Sequence, residues 1–376
     1  MTTTVQKKSA IVKQSIGIDV SAKELSVAFQ VREETGRMPY RGTNTFSNDL
    51  QGFKRLSAWI GKFYKSDTEC MIVLEATGVY YENAVYYLSD HFSSLKISVV
   101  LPNKAKYFAK TLDNKSKTDK LDAKMLAQMG LEKNLPEWVK PSPEIRSLRG
   151  NTRERERLVD LKTILANQLH AHKSANDVDP KIIARIETQI DFFADQIKEV
   201  EADIKEKLSS NAEFKENTKI LNSVLGFGPI VTASLIAETQ NFANFKNQKQ
   251  LVSYAGLDVV HRTSGTSIKG KTKISKKGNS HIRRVLYFAA VSHIRNKGIY
   301  RTFSDRITDK GAPNMVAITA VQRKLLVLAL ALVKKKSEYD KDYKWKQTPK
   351  KQKDSDSSTV INSNSDKKID RDKVPA

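Results

Sequence analysis

In the first third of the sequence, the spacing of apolar residues changes from strand-like alternation to helical spacing, in an order that few folds accommodate. Apolar and polar residues alternate in three consecutive segments, which predicts three strands near residues 16–20, 25–31 and 43–46. Helical spacing and short apolar runs then alternate, which predicts helix 50–63 after a Ser47 or Asn48 cap, strand 71–74, helix 80–92, strand 97–101 and helix 104–112. We therefore expect an α/β domain with a mixed sheet, whose first strand is half-buried.

Four acidic residues fall at the ends of these elements. Asp19 lies on the first predicted strand, and Glu75 directly follows strand 71–74. Asp119 and Asp122 lie three residues apart in a lysine-rich segment, so both project from one face if the segment is helical. Open α/β sheets bind ligands beyond the carboxyl ends of their strands, and hard cations prefer carboxylate oxygens. We predict that the four acids hold Mg²⁺ beside a phosphate.

The segment around Asp119 also fits an ordinary helix. Ser116 and Asp119 have the spacing of a capping box, and Leu121, Met125 and Met129 would form its buried stripe.

Prolines at positions 136, 141 and 143 indicate the end of the first domain, which we place at residues 13–135. Apolar residues then recur at helical spacing from Ile145 to Leu208, with one interruption at residues 177–180. This pattern predicts a helical hairpin or coiled coil within residues 136–212. A narrow apolar seam on long charged helices favours self-association into a homodimer or tetramer, and the alternative is a spacer that packs only on its own domains.

The charge distribution predicts a nucleic-acid partner. The chain has 65 Lys and Arg against 42 Asp and Glu, and the segment 261–310 alone has 13 Lys and Arg against two acids. Counterion release rewards each cation placed on a phosphate. We predict nucleic-acid contacts for the cations of this segment and for a Gly-x-Gly turn that resembles a helix-hairpin-helix, or is a plain turn between core helices. These residues are Gly226, Gly228, Arg262, Lys269, Lys271, Lys273, Lys276, Lys277, Arg283 and Arg284.

The C-terminal part is predicted to be a mainly helical domain, residues 213–333, closed by an apolar helix from Met315 to Val333. The apolar run 325–333 is too short to span a bilayer, so no membrane partner is expected. The single cysteine, Cys70, is expected to be buried in a cytoplasmic, nucleoid-associated protein. Residues 1–12 and the basic tail 334–376 have little to bury, and we predict that both are disordered.

Several motifs together resemble the DEDD-type transposases of bacterial insertion sequences, the IS110 family, which are related to the Piv DNA invertases. The motifs are Gly17-Ile18-Asp19-Val20-Ser21, Leu74-Glu75-Ala76-Thr77-Gly78, Lys117-Thr118-Asp119-Lys120-Leu121-Asp122-Ala123, Tyr254-Ala255-Gly256-Leu257, Ser264-Gly265 and Ile274-Ser275-Lys276-Lys277-Gly278-Asn279.

The resemblance implies a RuvC-like (ribonuclease H-like) nuclease domain, a coiled-coil arm and a transposase domain with a serine nucleophile. The four acids of the family map to Asp19, Glu75, Asp119 and Asp122, and the serine maps to Ser264. The implied activity is cutting and rejoining of the DNA of a mobile element through a covalent phosphoserine. A non-coding bridge RNA that pairs with donor and target DNA is implied as a partner.

Other functions use some of the same residues. A RuvC-type hydrolytic endonuclease or Holliday-junction resolvase would need the acids, with Ser264 only binding phosphate. A tyrosine recombinase would use His281, Arg283, Arg284 and Tyr300 and leave the acids idle. A basic architectural protein would bind DNA without cleavage.

Overall fold

The first part of the chain folds around a five-stranded mixed sheet. The computed structural model describes residues 9–92, 94–112, 118–264 and 268–340. Two antiparallel pairs join the first three strands, whereas the fourth and fifth run parallel to the first, as the order of segments predicts. The strands are β1 (Ile11–Val20), β2 (Glu24–Glu33), β3 (Tyr40–Ser47), β4 (Cys70–Glu75) and β5 (Lys96–Val100), in the order β3-β2-β1-β4-β5.

Helices cover both faces of this sheet. They are α1 (Leu50–Gly61), α2 (Glu82–His91), α3 (Pro102–Ala109), which continues as a short 3₁₀ helix (Lys110–Leu112), and α4 (Asp119–Glu132). Leu56 of α1 and Leu88 of α2 lie in a core on one face, and Phe108 of α3 and Leu126 of α4 lie in a core on the other. The predicted cap of α1 is wrong by one or two residues, because the Asp49 carboxylate accepts from the Gly52 N–H at 2.7 Å.

Two expectations for β1 are wrong. The strand begins at Ile11, within the segment expected to be disordered, because Ile11 still pairs with Glu33 of β2. The strand is also buried on both faces, because α4 lies directly on it. A Cβ at Gly17 would be 2.0 Å from the carbonyl oxygen of Ala123, so only glycine permits this approach.

A connection along the edge of the sheet leads to two long helices. The Trp138 N–H donates to the Ile97 carbonyl at 2.7 Å and so pairs with edge strand β5. The predicted helices are confirmed as α5 (Pro143–Ser174) and α6 (Pro180–Ser210). They run antiparallel, since ion pairs join Arg155 to Glu201 and Lys173 to Glu187. Coiled-coil packing and self-association stay predictions.

The rest of the described chain forms a second, mainly helical core. The first turns of α5 and the last turns of α6 enter it through Leu148 and Ile204. Its other elements are α7 (Ala212–Asn222), α8 (Pro229–Thr239), α9 (Gln248–Tyr254), β6 (Val259–Ser264), β7 (Ile268–Ile274), α10 (Ser280–Arg295), α11 (Arg301–Thr308) and α12 (Asn314–Lys335).

Helix α12 closes this core, as predicted. Val321, Leu325 and Ala329 are fully buried in it. The helix is longer than the apolar run 325–333, and its length and apolar composition alone would allow it to cross a membrane, a test that core helices of soluble proteins also pass.

Candidate active site

Strands β1 and β4 place two of the predicted acids side by side. The last paired residues of these parallel strands are Ile18 and Leu74, so Asp19 and Glu75 follow directly on neighbouring strands. Side chains alternate along a strand, and Ile18 and Leu74 both lie in the core under α1 and α2. The strand alternation therefore directs Asp19 and Glu75 to the opposite face of the sheet, which α4 covers.

The N-terminus of α4 supplies the other two acids. Asp119 and Asp122 lie in its first turn, where the exposed N–H groups favour negative charge. Thr118 is the N-cap, and its Oγ1 accepts from the Leu121 N–H at 3.3 Å. The capping-box alternative with Asp119 at its third helical position is wrong, because the helix begins at Asp119. Ser116 and Lys117 lie outside the described residues.

The four carboxylates act on one another electrostatically. Burial and the negative charges of Asp122, Asp119 and Glu75, in that order of effect, raise the pKa of Asp19 from 3.8 to about 6. Helix α4 packs on β1, so the structure places Asp119 and Asp122 on the same side of the sheet as Asp19, which precedes them by about a hundred residues of sequence. Within the described part of the chain, no three His, Cys, Asp or Glu side chains are placed to hold a metal ion as they stand.

Asn48 joins the two loops that follow the acid-bearing strands, a role that sequence reasoning missed. Its Nδ2 donates to the carbonyl of Ser21, two residues after Asp19, at 2.9 Å. The same nitrogen donates to the carbonyl of Tyr80, in the loop after Glu75, at 3.0 Å. Its position directly after β3 was the available signal, but the sequence suggested only a helix cap there.

Ser264 lies on a separate two-stranded sheet. It is the last residue of β6 and pairs with Ile268 of β7, so it stands at the tip of the β6–β7 hairpin. Gly265 lies outside the described residues. Arg262, Lys269, Lys271 and Lys273 belong to the same two strands.

The segment after the hairpin fixes its base. Ser275 Oγ donates to the Asp258 carboxylate at 2.5 Å, and the Asn279 side chain accepts from the Ile282 N–H at the start of α10. Gly278 lies against the main chain of Tyr254, where a Cβ would be 2.3 Å from the carbonyl oxygen. The motif 274–279 thus holds the hairpin on the helical core.

A buried carboxylate that sequence reasoning missed supports this base. Glu238 on α8 is 1 % exposed and accepts two hydrogen bonds from the Arg153 guanidinium, at 2.7 and 3.0 Å, and one from Asn279 Nδ2 at 2.6 Å. Burial opposes its ionisation, but the bonds and charge of Arg153 and the bond from Asn279 hold the pKa of Glu238 below its usual value. Because Glu238 lies within an apolar helix, the sequence did not indicate that it pairs with a residue of α5.

Several predicted nucleic-acid contacts have partners inside the protein. Arg283 donates to three main-chain carbonyls, and Arg284 forms a bidentate ion pair with Asp160. A Cβ at Gly226 would be 2.6 Å from the Ala289 carbonyl, so packing on α10 explains that glycine, and Gly228 is the N-cap of α8. Lys276 and Lys277 are exposed, and Lys277 donates to the Tyr107 hydroxyl. Nucleic-acid binding by all of these residues stays a prediction.

Two family models match the chain. One, DEDD_Tnp_IS110, described as a transposase, matches residues 16–173, which contain the four acids. The other, the transposase IS116/IS110/IS902 family, matches residues 218–305, which contain Ser264.

Individual proteins are similar as well. The pilin gene-inverting protein of Moraxella bovis is 28 % identical over 321 residues, 84 % of this chain and 94 % of that one. The IS900 42 kDa protein of Mycobacterium paratuberculosis is 28 % identical over 43 % of this chain and 39 % of its own. A T. thermophilus RuvC structure with a Holliday junction substrate matches with a TM-score of 0.24 and 14 % identity, over 30 % of this chain and 90 % of that one, which is too distant to carry an argument.

A mixed α/β sheet with clustered acids, joined to a second domain that a transposase model also matches, defines an enzyme that cleaves and rejoins DNA strands. More closely, the chain belongs to the IS110 family of insertion-sequence transposases, with similarity to the Piv-type invertases.

Proposed function

We propose that this transposase cuts and rejoins the DNA of its own insertion sequence at a composite site. Asp19, Glu75, Asp119 and Asp122 hold Mg²⁺ against the scissile phosphate, and Ser264 is the nucleophile. The observation that carries the proposal is the convergence of the acids. Asp19 and Glu75 follow paired residues of β1 and β4, and α4, which has the other two acids in its first turn, packs on β1.

The donor set fits a hard divalent cation. Four carboxylates offer the oxygen ligands that Mg²⁺ prefers, and their mutual repulsion is the kind that a cation relieves. Small rotations of the side chains would have to accompany binding, since no three acids stand at coordinating positions among the described residues. A bound divalent cation would supply charge neutralisation on the phosphate oxygens.

The serine step conserves the phosphoester bond. The Ser264 hydroxyl oxygen forms a bond to phosphorus, the bond from phosphorus to one strand oxygen breaks, and the departing oxygen takes up a proton while the serine proton is lost to solvent. Attack by a new strand end on the phosphoserine reverses these changes, so rejoining needs no energy source. Lysines on the same hairpin would stabilise the charge that develops on the phosphate.

Partners follow from the same proposal. The substrate is donor and target DNA, and a bridge RNA pairs with both, for which the net charge of +23 is suitable. The working form is a homodimer or tetramer. Exposed Ile164 and Phe192 on the α5–α6 hairpin support self-association there, since apolar side chains on a projecting hairpin gain from a partner helix.

The decisive experiment looks for protein attached to DNA. The full chain is incubated with labelled DNA carrying an element end, the RNA transcribed from the element, and Mg²⁺, and the products are separated in denaturing gels. A covalent adduct is expected, and Ser264→Ala should abolish both adduct and recombination, by about 10³-fold or more. Ser253→Ala, an exposed serine on α9, is the matched control and should react normally.

Two outcomes contradict the proposal. Free DNA ends without an adduct would identify a hydrolytic endonuclease of the RuvC type. An adduct that persists in Ser264→Ala and disappears when Tyr300 is changed would identify a tyrosine recombinase, although burial raises the pKa of Tyr300, the opposite of activation.

A further inference from the structure

An exposed aromatic side chain lies among cations where the two parts of the chain meet. Tyr107 on α3 is 56 % exposed, whereas its neighbour Phe108 is buried in the core beneath the sheet. Lys277 donates from Nζ to the Tyr107 hydroxyl at 2.9 Å, and the same nitrogen lies 5.0 Å from the centre of the ring. Three exposed lysines lie within three residues of Tyr107, on α3 and at the start of the 3₁₀ helix that follows it; they are Lys104, Lys106 and Lys110.

Packing does not explain this arrangement. Phe108 makes the apolar contacts of α3, and Tyr107 adds little to the core. The hydrogen bond and charge of Lys277, helped by Lys110 and Lys106, lower the pKa of the Tyr107 hydroxyl, as expected where cations crowd an exposed phenol. A helix surface that gathers like charges around an aromatic ring is unfavourable for folding alone and suited to a polyanion.

The position of this surface connects it with both halves of the proposed site. Helix α3 packs on α4, whose first turn carries Asp119 and Asp122. Lys277 belongs to the segment that fixes the base of the serine hairpin. A strand bound here would therefore contact both the domain that carries the acids and the segment at the base of the hairpin.

We propose that Tyr107, Lys277, Lys104, Lys106 and Lys110 bind an unpaired segment of the DNA strand, with a base stacked on the Tyr107 ring and phosphates on the lysines. Stacking on an exposed ring requires a base that has left the duplex, and cations along a groove follow the backbone. The inference rests on the proposed function for its ligand, DNA. It does not depend on the proposed cleavage chemistry, since binding of the strand needs neither Mg²⁺ nor Ser264.

Binding is measured by fluorescence anisotropy with a labelled oligo(dT) of about 12 nucleotides, within the site sizes of single-strand grooves. The full chain is used in EDTA, so that no cleavage occurs. Tyr107→Leu should weaken binding by about five- to thirty-fold, the loss expected for one stacked base. Tyr107→Phe keeps the ring and should recover the affinity to within about threefold of the wild-type value. Tyr40→Leu is the matched control, because Lys124 lies over the Tyr40 ring at the same 5.0 Å on the opposite edge of the sheet.

Salt dependence tests the lysines separately. Lys277→Gln should lower the slope of log affinity against log salt concentration by about 0.7, the value for one phosphate contact on a single strand. An oligo(dT) carrying 5-iodouracil should cross-link to Tyr107 under ultraviolet light, which locates the base in the wild-type chain even if a variant folds poorly.

Three results would overturn the inference. The first is unchanged binding by folded Tyr107→Leu. The second is an equal loss of affinity in Tyr107→Phe and Tyr107→Leu, which would mean that the hydroxyl contact with Lys277 only joins the two domains. The third is tighter binding of the matching RNA oligonucleotide, which would assign the strand to RNA. Each can occur while the covalent adduct on Ser264 still forms, so failure here is distinct from failure of the proposed function.

Discussion

Two partly or wholly buried carboxylates in this molecule have opposite electrostatics. Asp19 lies beside three other acids, and burial and their charges raise its pKa to about 6. Glu238 is more deeply buried, yet Arg153 and Asn279 hold its pKa below the usual value. Burial alone therefore does not distinguish the two places; the charge of the neighbours does.

The difference distinguishes Asp19, a carboxylate suited to bind a cation, from Glu238, a carboxylate that stabilises the fold. Glu238 has its counter-charge within the chain and ties α8 to α5 and to the base of the serine hairpin. At Asp19 the fold concentrates negative charge, which costs stability unless a cation enters. Clusters of like charge that lower the stability of the fold are characteristic of catalytic centres.

The largest stability effect is expected when Arg153 is removed. Arg153→Ala leaves the buried Glu238 carboxylate with the bond from Asn279 and the charge of Arg149, and should lower the free energy of unfolding by about 2–4 kcal/mol, because loss of one partner from a buried ion pair leaves the other charge without its main counter-charge. Urea denaturation at neutral pH measures this. Arg157, one turn further on α5, pairs with Glu154 at the surface, so Arg157→Ala should leave the free energy of unfolding nearly unchanged. Equal effects of the two substitutions would contradict the role given to Glu238.

The same chemical change should have opposite effects at the two carboxylates. Asp19→Asn removes a repelled charge and should stabilise the metal-free protein near pH 8 by about 1–3 kcal/mol. The folded pKa of Asp19 is raised, so the wild-type protein loses stability as pH rises from 3.8 to about 6, and the gain from Asn should shrink toward pH 4. Asp19→Asn should also abolish strand cleavage.

Glu238→Gln is the paired variant and should destabilise by about 1–3 kcal/mol, because the charged acceptor of two Arg153 bonds is lost. Since the pKa of Glu238 is lowered, its contribution is present above about 4.5 and is lost as pH falls through the folded value. Denaturation curves at several pH values in EDTA would separate the variants, and a destabilising Asp19→Asn at pH 8 would refute the picture of repelling acids.

The sequence predicts the elements better than the contacts between them. Alternation and helical spacing predict β1 to β5 and the two long helices, because the apolar residues that face the core recur at a regular spacing within each element. The burial of β1 on both faces could not be predicted, because it depends on Gly17 meeting the main chain of α4, a hundred residues away. The acids were identified by their positions at element ends. The roles of Glu238 and Asn48 were missed because both act through partners that are distant in the sequence.

The smallest expected effect concerns how firmly the acids are held. Asn48→Ala removes the two hydrogen bonds that connect the Ser21 and Tyr80 carbonyls, and should cost only about 1 kcal/mol of stability, the usual net value for such bonds. Strand cleavage should fall further, by about tenfold, because Asp19 and Glu75 would be less well fixed relative to each other, and raised Mg²⁺ should restore part of it. Asn44→Ala is the control, since the Asn44 side chain accepts a hydrogen bond from the N–H of its neighbour Thr45 and joins no two loops among the described residues. A cleavage rate that falls no more in Asn48→Ala than in Asn44→Ala would show that the strands alone position the acids.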